Sequence, residues 1–238
     1  MVELTSSTAA ILVTYHPASN PRDILERLAG LVALTVVVDN SIGGHPALQG
    51  MPNRRDRVRI HNRNRGGLAG AYNQAISRIL ADHRCISHIV FIDEDSDPTV
   101  LGRFLANYEV ARLLQTATTA CVAPAYKDRA TGLRGRHIVL GRFHLTYLPR
   151  LFAGVRRVAF VINSMSVWRM EALRRIGPFN EGLAIDHIDI GVLITRITDE
   201  LPRGEDVERV RARLAAKGWP LDDPRDPTDD GPGDGGAA

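Results

Sequence analysis

The sequence predicts an α/β domain with a mostly parallel central sheet and helices packed on both faces. Two observations carry this: short apolar, β-branched runs alternate with segments of helical periodicity, and several of the apolar runs end abruptly in polar residues. A third is the 44% hydrophobic content of a 238-residue chain, enough for one such core plus an appendage. In a sheet of this kind the ligand crevice lies outside the carboxyl ends of the strands, which would gather Tyr15, Asp39 and Asp93.

The elements follow in order. Ala9 to Thr14 is a short apolar run closed by Tyr15, His16 and Pro17, a buried strand feeding a loop. Asn20-Pro21 starts a helix whose apolar stripe is Ile24, Leu25, Leu28 and Leu31. Leu34 to Val38 is β-branched and buried, ending in Asp39-Asn40-Ser41 before a Gly-Gly-His-Pro turn. Arg57 to His61 is a weaker strand, Gly66-Gly67 opens a helix over Leu68 to Ala81, and Ile86 to Ile92 is the next strand. A helix from Thr99 to about Gln115 and a strand over Thr119 to Ala123 follow. Arg136 to Leu148 has hairpin-like alternation around Gly141, Ala159 to Ile162 is a further apolar segment, and Trp168 to Ile176 reads as a short helix closed by Gly177-Pro178.

The net charge of +3 hides an asymmetry. Residues 221 to 238 carry six Asp and one Arg, leaving 29 basic against 21 acidic residues in the remainder. Only Lys127 and Lys217 are lysines, and an arginine excess suits bidentate contacts to phosphate or carboxylate. Cys85 and Cys121 form no disulfide framework and fit a reducing cytoplasm. The longest apolar stretch, Leu28 to Val38, is too short to span a bilayer, so membrane association would be at most peripheral, at the inner face of the plasma membrane.

The strand over Ile86 to Ile92 runs into Asp93, Glu94, Asp95 and Asp97. Carboxylates gathered at a strand end repel one another unless a cation sits among them, and Mg²⁺ or Mn²⁺ takes oxygen ligands. On an extended backbone Asp93 and Asp95 point the same way and could share one metal. A solvated acidic turn is the plain alternative, since Asp97-Pro98 is ordinary turn chemistry. An EF-hand loop is unlike this pattern, with Pro98 and Phe104 at its glycine and glutamate positions. A phosphatase with Asp93 as nucleophile is also compatible; it needs a lysine partner, for which Lys127 and Lys217 are the candidates. The Asn-rich stretch His61 to Ile76 adds consecutive glycines before a helix, which let backbone amides approach an anion. The dinucleotide fingerprint spacing and a Walker lysine are both missing.

Five stretches occur in the order "LVTYHP", "VVVDNS", "NRGGLAGAYNQAI", "FIDEDSDP" and "NSMSVWRMEALRRIGPFNEGLAIDHID". Together they resemble family-two glycosyltransferases of the GT-A (Rossmann-like, nucleotide-sugar-binding) fold, in the rhamnosyltransferase and galactofuranosyltransferase branch. The resemblance covers residues 9 to 189. It implies that Thr14 and Tyr15 line a nucleotide pocket, Asp39 contacts the base, Arg65 and Gly67 flank nucleotide and sugar, and Asn163 lies near the donor sugar and acceptor. Asp93 and Asp95 match the family's Asp-x-Asp motif, which holds Mg²⁺ or Mn²⁺ on the diphosphate of a nucleotide sugar such as TDP-rhamnose or UDP-galactofuranose. An inverting transfer to a glycan or lipid-linked acceptor of the cell envelope needs a general base, and "IDHID" offers Asp186, then Asp189 and His187. The resemblance implies no nucleic-acid partner.

After Asp189 the chain departs from that family and resembles part of a small actinobacterial domain of unknown function, over about residues 189 to 224. The expected organisation is therefore a C-terminally incomplete glycosyltransferase domain over 1–189, an appended helical segment over 190–220 with a Val207, Val210, Leu214 stripe, and a disordered Asp/Gly/Pro tail over 221–238. A remnant that binds nucleotide sugar without transferring it is the rival reading.

Overall fold

A computed structural model describes residues 4–126, 134–140, 145–149 and 154–182, all within a compact unit spanning Met1–Asp199. Its elements are α1 (Leu4–Ser7), β1 (Thr8–Thr14), α2 (Pro21–Leu28), β2 (Leu34–Asp39), β3 (Arg57–His61), α3 (Gly67–Asp82), β4 (His88–Asp93), α4 (Thr99–Leu105), α5 (Tyr108–Gln115), β5 (Cys121–Val122), β6 (Ile138–Leu140), β7 (Leu145–Tyr147), β8 (Val167–Arg169) and α6 (Met170–Ile176). Six strands form one sheet in the order β3-β2-β1-β4-β8-β5. The first four are parallel, while β8 runs antiparallel to both β4 and β5. The short β6 and β7 pair separately as an antiparallel hairpin, with the Arg136 guanidinium 4.5 Å from the Tyr147 ring centre.

Of the parallel strands, β1, β2 and β4 are buried on both faces, which is why their sequences read as continuous apolar runs, whereas the edge strand β3 is largely half-buried. Alternate residues feed two cores. Ala9, Ile11, Val36, Val38, Ile89, Phe91 and Trp168 pack with Ala71, Tyr72, Ala75 and Ile79 of α3 and Met170 and Leu173 of α6. Ala10, Leu12, Val37, Val90 and Ile92 pack with Ile24, Leu25 and Leu28 of α2, Leu101 and Leu105 of α4, and Val110 and Leu114 of α5. The mixed α/β architecture with its mostly parallel sheet is the one the sequence implies.

Two elements differ from the sequence reading. The single helix expected over Thr99 to Gln115 is broken at Ala106 and Asn107, because the Asn107 side chain accepts hydrogen bonds from the Glu109 and Val110 N–H groups and starts a new helix. Trp168 lies in strand β8, and the helix begins only at Met170. Val167 and Trp168 sit between β4 and β5, fully buried, where β-branched and aromatic side chains are favoured. Among the described residues no helix is long and apolar enough to cross a membrane.

Candidate functional site

The sheet order changes direction at β1: the chain moves first to β2 on one side, then to β4 on the other. The carboxyl ends of β1 and β4 therefore flank a topological switch point, where a crevice opens in folds of this kind. A cleft of about 430 Å³ lies here, lined by Val13, Tyr15, Asn40, Asn64, Gly67, Leu68, Asp93 and Glu94. Its walls thus come from the ends of β1, β2 and β4 and from the loop entering α3.

The acidic strand end is shaped by a turn. The Ser96 N–H donates to the Asp93 carbonyl at 3.0 Å, making Glu94 and Asp95 the centre of a β-turn and not a continuation of the strand. The extended backbone expected to carry on through Asp95 therefore ends at Asp93. Asp93 and Glu94 face the cleft, and Asp95 stands exposed on the turn. Glu94 Oε2 accepts the Tyr15 N–H at 3.1 Å, joining the two strand ends across the switch point. Ser96 Oγ accepts the Asp93 N–H and lies 2.6 Å from Ser164 Oγ, tying the turn to residues 163 to 166. Asp97 is exposed, and its carboxylate is held below the usual range by hydrogen bonds from the Thr99 N–H and hydroxyl.

Residues singled out in the sequence divide between two sides. In the sheet Val13 pairs with Asp93, whereas Thr14 pairs with Asp39, so these pairs leave on opposite faces. Asp39 is 0% exposed, and its two oxygens accept the Ser41 N–H at 3.1 Å and the His45 N–H at 2.6 Å. Its carboxylate holds the 41–45 turn, as the Asx chemistry of such turns allows. Ser41 Oγ in turn accepts the N–H of His16, a residue at φ 48°. Thr14 is fully buried, with its hydroxyl unpartnered. Tyr15 is 50% exposed at the cleft and offers a ring face for stacking. Gly67 lines the cleft at φ 59°, while Arg65 is exposed on the same loop, with Nε donating to the Asn62 carbonyl at 3.3 Å.

Asn163 is 6% exposed: its Nδ2 donates to the Tyr72 hydroxyl at 2.6 Å and its Oδ1 has no partner. It begins a turn in which Met165 takes φ 62° and the Ser166 N–H returns to the Asn163 carbonyl. Asp186, His187 and Asp189 lie outside the described residues, as do Lys127 and Lys217, residues 190–220 and the tail.

Several residues enter that sequence reasoning did not single out. Glu94 is the middle residue of the acidic motif, and Asn40, Asn62 and Asn64 form a hydrogen-bonded chain along the cleft wall. Asn73 on α3 grips the turn after α6, its Oδ1 accepting the Phe179 N–H at 2.7 Å and its Nδ2 donating to the Phe179 carbonyl and to Glu181 Oε1, each at 2.9 Å. The Glu181 carboxylate then lies against Gly66, where a Cβ would collide with it. The repeated asparagines of the His61 to Ile76 stretch were the available signal for the cleft wall.

Solved structures share this fold at low identity. The structure of GalNAc-T7 with UDP, GalNAc and Mn²⁺ matches at a TM-score of 0.54, with 12% identity over 80% of this chain and 40% of that one. Mannosyltransferase PcManGT from Pyrobaculum calidifontis, in complex with GDP-Man and Mn²⁺, matches at 0.48 with 16% identity over 87% and 60%. 4-Diphosphocytidyl-2C-methyl-D-erythritol synthase matches at 0.41 with 13% identity over 87% and 98%. At these identities the likeness is one of fold, carried by the first, and the chain spans 40% of the GalNAc-T7 chain's length. No curated protein matches the sequence. A family described as a protein of unknown function (DUF3349) matches residues 169–223. That match agrees with the C-terminal resemblance but begins at the end of β8 and takes in α6, about 20 residues before the expected junction.

Proposed function

We propose that the protein is a metal-dependent glycosyltransferase that moves a sugar of the rhamnose or galactofuranose class from a nucleotide diphosphate sugar to a cell-envelope glycan or lipid-linked acceptor, with inversion. The observation that carries this reading is the cleft at the switch point, where pieces of four separate sequence motifs meet: Tyr15, Asn40, Asn64 with Gly67, and Asp93 with Glu94. Its volume of about 430 Å³ is within the range for a small-molecule site, and the fold is shared with a structure that holds UDP, GalNAc and Mn²⁺.

The donor set suits a hard cation. Among the described residues no three His, Cys, Asp or Glu side chains form a closed metal cage, and the strand end supplies carboxylate oxygens alone. Mg²⁺ and Mn²⁺ sites of this type take one or two carboxylates and complete their shell with substrate phosphate and water. Asp93 and Asp95 would hold the ion, which would neutralise the charge left on the departing nucleoside diphosphate. Tyr15 supplies the stacking face for the base, Thr14 and Asp39 shape the nucleotide end of the site, Arg65 and Gly67 flank nucleotide and sugar, and Asn163 stands near the sugar. Asp186 takes the proton of the attacking hydroxyl, with Asp189 and His187 the other candidates for that step.

A second reading, binding without transfer, is favoured by one observation: the DUF3349 match runs through Asp186, His187 and Asp189, where the catalytic base would lie. Calorimetric titration with TDP-rhamnose and UDP-galactofuranose, each with and without Mn²⁺, tests both readings. The transferase reading predicts Mn²⁺-dependent binding of one donor, its loss in Asp93→Ala, and nucleoside diphosphate release when an acceptor is added. Binding with no turnover against any envelope acceptor supports the second reading, and folded protein that binds neither donor overturns both.

A further inference from the structure

The asparagine chain along the cleft carries an inference that rests on the nucleotide-sugar reading and goes beyond it. Asn62 and Asn40 are buried, whereas Asn64 is exposed on the cleft wall. Asn62 Nδ2 donates to the Arg65 carbonyl at 2.8 Å and to Asn40 Oδ1 at 2.7 Å. Asn40 Nδ2 donates to the Gly67 carbonyl at 3.2 Å and to Asn64 Oδ1 at 3.0 Å. A backbone carbonyl only accepts, so Arg65 determines which end of the Asn62 amide is nitrogen and Gly67 does the same for Asn40. Once the nitrogen of Asn40 is assigned, the Asn64 atom facing it must be its oxygen. The Asn64 NH₂ is then the group left for the cleft; the reverse orientation would set nitrogen against nitrogen. The backbone is committed to the same end: Arg63 and Asn64 are both left-handed, at φ 57° and 55°, and such conformations persist at non-glycine residues only where the surroundings hold them.

We propose that Asn64 donates a hydrogen bond from Nδ2 to an acceptor oxygen of the bound nucleotide, and that Asn40 and Asn62 are positioning residues that set the polarity of that contact. The cleft then has two unlike walls. Asp93 and Glu94 bring carboxylates suited to a cation or to ligand hydroxyls, and Asn64 brings a donor suited to a phosphate oxygen or a base carbonyl.

Asn64→Gly and Asn64→Asp test this, because both residues tolerate the left-handed backbone and neither places a donor in the cleft. Titration of UDP and TDP with Mn²⁺ should show affinity falling about tenfold in the glycine variant, the equivalent of one hydrogen bond, and further in the aspartate variant, where an oxygen faces the ligand's oxygen. Mn²⁺-pyrophosphate is the discriminating probe: it weakens in parallel if Asn64 meets phosphate and is unchanged if Asn64 meets the base, and either result supports the contact. Asn40→Ser should weaken nucleotide binding in the native background and add nothing to Asn64→Gly, a non-additivity that a merely structural role would not produce. If wild type binds UDP or TDP and both Asn64 variants bind equally well, the inference is overturned while the nucleotide reading stands. If folded wild type binds neither nucleotide, the reading fails and the inference falls with it.

Discussion

Replacing Asp39 with alanine separates two jobs that a carboxylate at the end of β2 can perform. The family resemblance makes Asp39 a contact to the nucleotide base, whereas the structure has both of its oxygens accepting backbone N–H groups, from Ser41 and His45, at a side chain with no exposed surface. Asp39→Ala leaves the buried Ser41 N–H and the half-buried His45 N–H without their acceptor, and a donor so stranded costs about 1–3 kcal/mol. The expected loss is therefore about 4 kcal/mol, which for a domain of this size lowers Tm by about 8–16 °C. Asp39→Asn keeps one acceptor and turns an NH₂ toward the other N–H, so about 2 kcal/mol is expected. Urea unfolding followed by tryptophan fluorescence reads both values, since Trp168 is fully buried in the core that unfolds. If Asp39→Ala unfolds within about 0.5 kcal/mol of wild type, the usual span of a featureless surface substitution, while nucleotide binding is lost, then the carboxylate serves the ligand and the turn is held by other means.

Three further outcomes follow from the same geometry. Gly70→Ala should cost about 1–3 kcal/mol, because its Cβ would be driven into the Arg65 carbonyl, whereas Gly67→Ala meets no atom within 4 Å and carries only the left-handed backbone penalty of about 1 kcal/mol; chemical denaturation of the pair should rank them in that order. Burial is the main cause that lowers the pKa of His88 from its ordinary 6.5, with Arg169 adding to it, against a backbone hydrogen bond at Leu114 that raises it. The unfolded chain then takes up the proton first, so His88 lends stability above pH 6.5 that is lost as pH falls toward its folded value, and His88→Gln should flatten the Tm profile between pH 7.5 and 5. Thiol labelling at pH 8 should modify exposed Cys85 quickly and leave Cys121, whose thiol burial pushes up to about 12, until the protein is unfolded.

The parts of the fold that depend on local pattern were legible in the chain. The buried strands over Thr8–Thr14, Leu34–Asp39 and His88–Asp93 announce themselves as apolar β-branched runs, and the helix over Gly67–Asp82 by its glycine start and apolar spacing. What depends on partners distant in sequence was not. Trp168 has helical neighbours in sequence and takes strand geometry because β4 and β5 lie on either side of it. The break at Asn107 is a side-chain cap that competes with a continuous helical pattern. At the site, the acidic motif placed Asp93 at a cleft, but the turn closed by Ser96, which brings Glu94 to the cleft wall, depends on a side-chain and backbone arrangement beyond the strand pattern, and the burial of Asp39 depends on a turn whose donors are two and six residues away. The Asn73 grip on Phe179 and Glu181 joins residues more than a hundred positions apart, which no local pattern records.

Whether the cleft is a nucleotide and metal site is tested most directly by a crystal structure of the protein soaked with UDP or TDP and Mn²⁺. The base should be stacked on Tyr15, the diphosphate should lie in the cleft between the ends of β1 and β4, and Mn²⁺ should be bound by the Asp93 turn, its position given unambiguously by anomalous scattering. Nucleotide density elsewhere on the protein, or Mn²⁺ density away from residues 93 to 95 with the cleft filled only by solvent, would contradict it.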